Sequence, residues 1–171
     1  MNRDLVLALG GYDGDVLFEN LELIRTIRVG GGRERRVSDL FVGRIPPDAH
    51  HFADQRVRQA YDSFAQPVRL ALELALLPLL VWSIRRPLRL PGLVLAAIAL
   101  AEFGRQRRGG ARVFPATSAL WAPVWLSERA ACVWLAMGER MLGGARYGNS
   151  RLKKAANSTA VLRHKLERLT P

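Results

Sequence analysis

Residues Gly10–Arg28, with the sequence GGYDGDVLFENLELIRTIR, decide the predicted fold. A glycine pair opens the stretch, and glycine enters tight turns more readily than any other residue. After the turn, apolar residues recur at helical spacing over about three turns. They are Leu17, Leu21, Ile24, Ile27 and Val29. The stretch therefore predicts a turn followed by an amphipathic helix that buries one face.

Acidic residues join this turn to the helix. Asp15 is placed to cap the helix, because a carboxylate accepts hydrogen bonds from the free backbone N–H groups of the first turn. Gly30–Gly32 is expected to end the helix. Asp13 and Asp15 form a D-x-D sequence, which we interpret as a turn and a helix cap rather than as a metal site.

Two short strands are predicted next, at Glu34–Val37 and at Leu40–Val42. Two such strands do not form a stable sheet alone, so they would be the last strands of a larger sheet. Asp48 then caps a polar helix that runs to about Phe64. The sequence thus predicts a mainly α fold with a small β remnant.

Two apolar segments follow, Val68–Ile84 and Leu90–Phe103, joined by the basic turn Arg85–Arg89. The first has about the minimum length for a bilayer span and the second is shorter. They predict a helical hairpin in the membrane, either spanning or re-entrant. Arginines in the turn and at both ends leave its orientation open. Two core helices of a soluble bundle are the alternative.

The remaining sequence predicts helices that lie at the membrane surface. Ala116–Met141 contains three tryptophans, which favour the headgroup layer, and we expect an interfacial helix broken near Pro123. Alternatively, Ser127–Arg129 pairs across a helix bundle. Ser150–Leu169 predicts a final basic helix, lying either on an anionic membrane or in solvent with one packing stripe.

The formal net charge of +11 is distributed unevenly. Residues 1–66 carry a net charge of −1, and residues 67–171 carry +12 among the longest apolar segments. Basic clusters beside apolar segments favour an anionic membrane surface, so we expect no nucleic-acid partner. Cys132 is the one cysteine, which excludes an intrachain disulfide and favours a small buried side chain. No histidine has partners at metal-ligand spacing.

The order of these elements resembles the C-terminal half of membrane-associated family 2 glycosyltransferases of the GT-A type. Residues 10–13, Gly-Gly-Tyr-Asp, match the family's GG(F/Y)D turn. Residues 18–20, Phe-Glu-Asn, fall where the family has Thr-Glu-Asp. Residues 55–58, Gln-Arg-Val-Arg, match Q-x-x-R of its Q-x-x-R-W motif, but Gln59 replaces the tryptophan. The motifs cover residues 1–66, and the remainder is similar in architecture alone.

The resemblance implies a domain plan. Residues 1–66 would be the C-terminal fragment of an incomplete GT-A α/β domain, and this fragment would form the acceptor side of the site. Residues 67–112 would form the membrane hairpin. Residues 113–171 would form the interfacial and basic C-terminal helices.

The resemblance also implies site residues. Glu19 and Asn20 occupy the catalytic position, where the family has its general base. Since asparagine takes up no proton, Glu19 becomes the candidate base. Asp13 and three residues of the Q-x-x-R segment, Gln55, Arg56 and Arg58, would contact the acceptor or the donor diphosphate.

The implied enzyme moves a sugar from a nucleotide sugar to a lipid or saccharide acceptor at the cell membrane, with its transferase part in the cytoplasm. The family's nucleotide-binding half, with the D-x-D that holds Mg²⁺ or Mn²⁺, has no counterpart in these residues. We therefore expect no cofactor in this chain, no activity of the chain alone, and either a start upstream of Met1 or an N-terminal partner chain. The alternative is a non-enzymatic membrane-surface protein that binds anionic lipid or a partner protein.

Overall fold

The computed structural model describes residues 3–86, 88–148 and 150–169, and within them the fold is mainly helical with one small sheet. The helices are α1 (Arg3–Ala8), α2 (Glu19–Val29), α3 (Ala49–Tyr61), α4 (Pro67–Ile84), α5 (Arg89–Gln106), α6 (Ala122–Met141) and α7 (Thr159–Leu169). Short 3₁₀ turns lie at Asp62–Ala65, Gly110–Arg112 and Ala116–Trp121. Strands β1 (Ala145–Tyr147) and β2 (Ser150–Leu152) pair antiparallel, with Ala145 opposite Leu152. The prediction of a mainly α fold with a small β part is confirmed.

The chain forms two compact units. The first unit comprises Met1–Arg36, Arg58–Pro67 and Ala136–Pro171, and the second comprises Val37–Val57 and Val68–Leu135.

The first unit is organised around α2, which packs against α7. Just before α2 the backbone is extended, and Val16 forms a parallel bridge with Lys154. Leu17 N and Phe18 N donate to the carbonyls of Lys154 (3.0 Å) and Ala155 (2.7 Å). This pairing ties the start of α2 to the segment that leads into α7.

The second unit contains α4 and α5 and has few large buried side chains. Its α5 packs against the 3₁₀ turns at Gly110–Arg112 and Ala116–Trp121. Among the described residues, α4 is the one helix long and apolar enough to cross a membrane. Only 11% of α4 is buried, whereas a core helix of a soluble bundle is mostly buried. The apolar surface of α4 is therefore not covered by the described protein.

Three sequence predictions are wrong. Asp15 does not cap α2: the helix begins at Glu19, with Phe18 at the cap position and no side-chain cap. The reason is that Val16–Phe18 pairs with residues 154–155, so the helix starts only after that pairing ends.

The predicted strands Glu34–Val37 and Leu40–Val42 are not strands. No other strand in the described chain pairs with these two segments, and Leu40 and Val42 are 67% and 77% exposed. An apolar run does not form a strand without a partner for its backbone groups.

The final helix begins at Thr159 rather than at Ser150. Ser150–Leu152 forms β2, and Ser158 Oγ accepts a hydrogen bond from Val161 N (3.3 Å) at the true start of the helix.

Other boundaries agree with prediction. Asp48 Oδ1 accepts from His51 N (2.8 Å) at the start of α3, so the predicted cap is confirmed. The glycines 30–32 end α2, and Gly31 has a φ of +81° that glycine adopts without strain.

Candidate functional site

Two glycines form the turn that follows α1. Gly10 and Gly11 have φ angles of +75° and +69°, a left-handed backbone that other residues adopt at a cost. Their N–H groups donate to the carbonyls of Leu7 (3.1 Å) and Val6 (3.0 Å), which ends α1. The turn then presents Tyr12 to solvent and directs the chain through Asp13 towards α2.

A fully buried carboxylate, that of Glu22, holds this turn against α2. Glu22 Oε1 accepts from Asp13 N (3.2 Å) and Asn157 Nδ2 (3.0 Å), and Oε2 accepts from Asn157 N (2.7 Å). Burying a carboxylate is costly unless hydrogen bonds replace its water, and three donors do so here. Glu22 therefore joins the turn, α2 and the segment before α7.

Asp13 lies beside Glu22 and is itself paired. Its Oδ2 accepts from Asn157 Nδ2 (2.9 Å), and its Oδ1 accepts from Lys165 Nζ (2.5 Å) on α7. The hydrogen bond from Lys165 holds the pKa of Asp13 below its ordinary value. Asp13 thus serves as an ionised partner of α7.

Arg25 completes the arrangement. Its Nη1 donates to Asn157 O (2.7 Å), and its Nη2 donates to Ala65 O (2.6 Å) in the turn after α3. We call Asp13, Glu22, Arg25, Asn157 and Lys165 the Glu22 cluster. Of its members, sequence analysis named only Asp13 as a site residue. The available signal was Glu22, an acidic residue between the apolar positions Leu21 and Leu23, but nothing local marked Asn157.

Glu19 and Asn20 lie in the first turn of α2, three and two residues before Glu22, and both are exposed. Neither side chain makes a hydrogen bond or ion pair with another residue in the described part of the chain. The Glu19 carboxylate is therefore accessible and able to accept a proton from a bound molecule. The Asn20 amide can donate and accept hydrogen bonds but takes up no proton.

Gln55 and Arg56 belong to the second unit, on α3. Gln55 Nε2 lies 3.0 Å from His51 Nε2 on the exposed side of the helix. Arg56 binds Glu128 bidentately, with Nε 2.8 Å from Oε1 and Nη2 2.5 Å from Oε2. The hydrogen bond from Arg56 lowers the pKa of Glu128. A diphosphate that uses Arg56 would have to compete with this carboxylate.

Arg58 belongs to the first unit, with Asp13, Glu19 and Asn20. Its side chain is half-buried and makes no hydrogen bond or ion pair with any residue that the structure describes. Of the two predicted diphosphate-binding arginines, Arg58 is the available one.

Charged residues of α6 pair within the second unit. Arg129 Nη2 lies 3.0 Å from Glu73 Oε2 on α4, and both residues are buried. With the Glu128–Arg56 pair, this agrees with the predicted alternative for Glu128 and Arg129, whereas Ser127 Oγ donates to Pro123 O in its own helix. Cys132 is 8% exposed, so its predicted burial is confirmed, and burial raises the pKa of its thiol to about 11.

Metal ligands are not grouped in this structure. Across residues 3–86, 88–148 and 150–169, no cluster of three or more His, Cys, Asp or Glu side chains could hold a metal ion.

Comparison with family models, curated proteins and solved structures gave no match to this chain.

Proposed function

We propose that this chain is the acceptor-and-membrane part of a family 2-like glycosyltransferase, inactive alone. The observation that carries the proposal is the Glu22 cluster. It holds the Gly-Gly-Tyr-Asp turn against α2 and leaves Glu19 and Asn20 exposed in the first turn of that helix. Two of the three motifs of the resemblance are thus joined by hydrogen bonds, and the candidate base is open to an acceptor.

Glu19 would act as general base in this proposal. Transfer of a sugar requires removal of a proton from the acceptor hydroxyl, and a positioned carboxylate accelerates such a step by about 10²–10⁴-fold. Asn20 would orient the acceptor hydroxyl through a hydrogen bond. Asp13 would act indirectly, because its carboxylate is engaged by Lys165 and Asn157.

Arg58 is the better candidate for the donor diphosphate. Negative charge grows on the leaving diphosphate, and a guanidinium group with free donors stabilises it. The Arg58 guanidinium has no hydrogen-bond partner among the described residues, so its donors are free, whereas Arg56 is bound by Glu128. Gln55, Arg56 and Glu128 would then position α3 rather than bind substrate.

The exposed apolar helix α4 supports attachment to the cell membrane. Attachment through α4 keeps the chain at the surface where lipid and membrane-bound saccharide acceptors are found. The proposed acceptor class is therefore a hydroxyl-bearing lipid or a growing polysaccharide.

The test is Glu19→Gln introduced into the native gene, with transfer measured in isolated membranes. We expect transfer from a nucleotide sugar to membrane acceptors to fall by about 10²–10⁴-fold, since the base is lost. Glu167→Gln, a second exposed glutamate in the same unit, is the matched control and should leave transfer unchanged. Undiminished transfer by Glu19→Gln would contradict the assignment of the base, and turnover by the 171-residue chain alone would contradict its inactivity.

A non-enzymatic membrane-surface protein is the second candidate. The pairing of Arg56 with Glu128 favours it, because a predicted substrate-binding group then has a structural role. On this alternative, Glu19→Gln changes neither membrane association nor any transfer.

A further inference from the structure

A cavity of about 370 Å³ in the second unit is separate from the residues discussed so far. Ligand pockets typically have volumes of about 300–1,000 Å³, so the cavity is large enough for a headgroup. One side is formed by the end of α5 and the following loop, and the other by Ser38 and Phe41. Ser38 and Phe41 come from the region that the sequence analysis assigned to strands.

The apolar floor of the cavity contains an aromatic pair. The rings of Phe41 and Phe114 meet edge to face, with centroids 5.5 Å apart. Both side chains remain partly exposed, at 38% and 45%. On the neighbouring α5, Leu100 and Phe103 are 72% and 55% exposed. The cavity therefore adjoins an apolar surface.

The rim is cationic and only partly neutralised. Arg105 is bound by Glu102 through two hydrogen bonds of 2.7 Å and also donates to Phe114 O (3.1 Å). Arg107 and Arg108 have no carboxylate partner among the described residues. Two positive charges thus remain beside the cavity.

A ring contact and a side-chain hydrogen bond hold these two arginines in place. The Arg107 guanidinium carbon lies 4.0 Å from the centre of the Phe103 ring. Arg108 Nη1 donates to Ser38 Oγ (2.9 Å). Arg108 has a φ of +54°, and in the described chain it is the one residue other than glycine with a positive φ. Such a backbone is unfavourable for arginine and is found at binding sites more often than elsewhere.

We propose that this cavity binds the phosphate group of a membrane lipid, through Arg107 and Arg108, with the start of the lipid chains against Phe41 and Phe114. Guanidinium groups bind phosphate oxygens bidentately, and two arginines balance the charge of one phosphate monoester. The aromatic floor favours a lipid over free phosphate, because free phosphate has no apolar part to place there. The proposal rests on the proposed membrane attachment and does not require glycosyl transfer.

The experiment is vesicle flotation of the full chain. One set of phosphatidylcholine vesicles contains phosphatidic acid and another contains oleate, adjusted to the same surface potential. We expect about tenfold tighter binding to phosphatidic acid, since oleate supplies charge without phosphate.

Two double variants carry the same change of charge. Arg107→Gln with Arg108→Gln should bind both vesicles equally. Arg85→Gln with Arg86→Gln, in the turn between α4 and α5, should weaken binding to both vesicles by similar factors and keep the preference. Arg108→Gly, which suits the positive φ, should also reduce the preference and guards against a folding defect.

A third arm separates lipid from free phosphate. Phe41→Ala should reduce the preference, and glycerol 3-phosphate should not displace the protein. The proposal is overturned if wild type shows no preference, if both arginine pairs alter it equally, or if glycerol 3-phosphate abolishes binding while Phe41→Ala has no effect. A chain that floats with neither vesicle overturns the membrane attachment as well, which distinguishes that failure from loss of preference alone.

Discussion

Glu22 illustrates how one buried residue acts at the residue scale. Its two oxygens accept three hydrogen bonds, from Asp13 N and from the backbone and side chain of Asn157. A glutamine at this position would supply one acceptor oxygen instead of two. One donor would then be buried without a partner.

We predict that Glu22→Gln lowers the free energy of unfolding by about 1–3 kcal/mol. Thermal unfolding of the full chain in nanodiscs, followed by circular dichroism, measures the change. Glu19→Gln makes the same substitution three residues earlier on the exposed surface of α2 and should change stability by less than about 0.5 kcal/mol. Equal effects of the two variants would show that the buried hydrogen bonds add no stability.

The stability that Asp13 contributes is expected to depend on pH. The hydrogen bond from Lys165 lowers the pKa of folded Asp13 below its ordinary value. A lowered pKa in the folded state stabilises the protein above the unfolded value, and this stabilisation is lost as the pH falls through the folded pKa.

We therefore expect Asp13→Asn to destabilise the chain at about pH 7 and to have a smaller effect below about pH 3. Asp15→Asn, two residues later and exposed, serves as control and should lower the unfolding midpoint at about pH 7 less than Asp13→Asn does, because it breaks no hydrogen bond to α7. Unfolding midpoints at both pH values test this. A difference between wild type and Asp13→Asn that persists unchanged at low pH would contradict it.

At the scale of elements, α7 starts where a serine caps it. Ser158 Oγ accepts from Val161 N (3.3 Å), and Ser158 O accepts from Leu162 N (3.1 Å). Asn157, the residue just before the cap, donates a hydrogen bond to Glu22, so the Glu22 cluster lies next to the start of α7. The capping residue thus marks where α7 begins, directly after the residue that contacts Glu22.

We predict that Ser158→Ala costs about 0.5–2 kcal/mol of stability, because one N–H group of the first turn loses its acceptor. Thr159→Ala, at the next exposed position, should cost less than about 0.5 kcal/mol. Chemical unfolding of both variants provides the comparison. Hydrogen exchange at the Val161 amide should increase in Ser158→Ala and not in Thr159→Ala. Unchanged exchange in Ser158→Ala would contradict the capping role of Ser158.

For the whole molecule, the exposed apolar helix α4 is the feature of greatest consequence. Leu72 in α4 is 67% exposed, and Leu7 in α1 is 63% exposed. A membrane would cover the first of these leucines, and a charged residue there would be costly to insert.

We predict that Leu72→Arg reduces binding to neutral phosphatidylcholine vesicles by about tenfold or more, since arginine in a bilayer core costs about 2.5–3.5 kcal/mol. Leu7→Arg, the same substitution at similar exposure in the first unit, should retain binding. Flotation measures both variants. If the two bind alike, α4 does not enter the bilayer.

The elements that sequence analysis placed correctly depend on local signals. The Asp48 cap, the glycines that end α2 and the long apolar run of α4 act through neighbouring residues, so their positions follow from the chain itself. The predicted strands failed because a strand depends on a partner, and β1 and β2 formed elsewhere. Which segments of the chain pair with each other is not a local property.

The sequence by itself determined a turn at Gly10–Gly11, a helix that contains Glu19, and an apolar helix bordered by arginines. The tertiary structure alone decided that Glu22 is buried, that Lys165 engages Asp13 and that Glu128 engages Arg56. The physical reason is distance along the chain: Glu22 and Asn157 are 135 residues apart, and no periodicity or motif links groups that meet only after folding. The availability of Arg58 and the engagement of Arg56 are therefore properties of the fold.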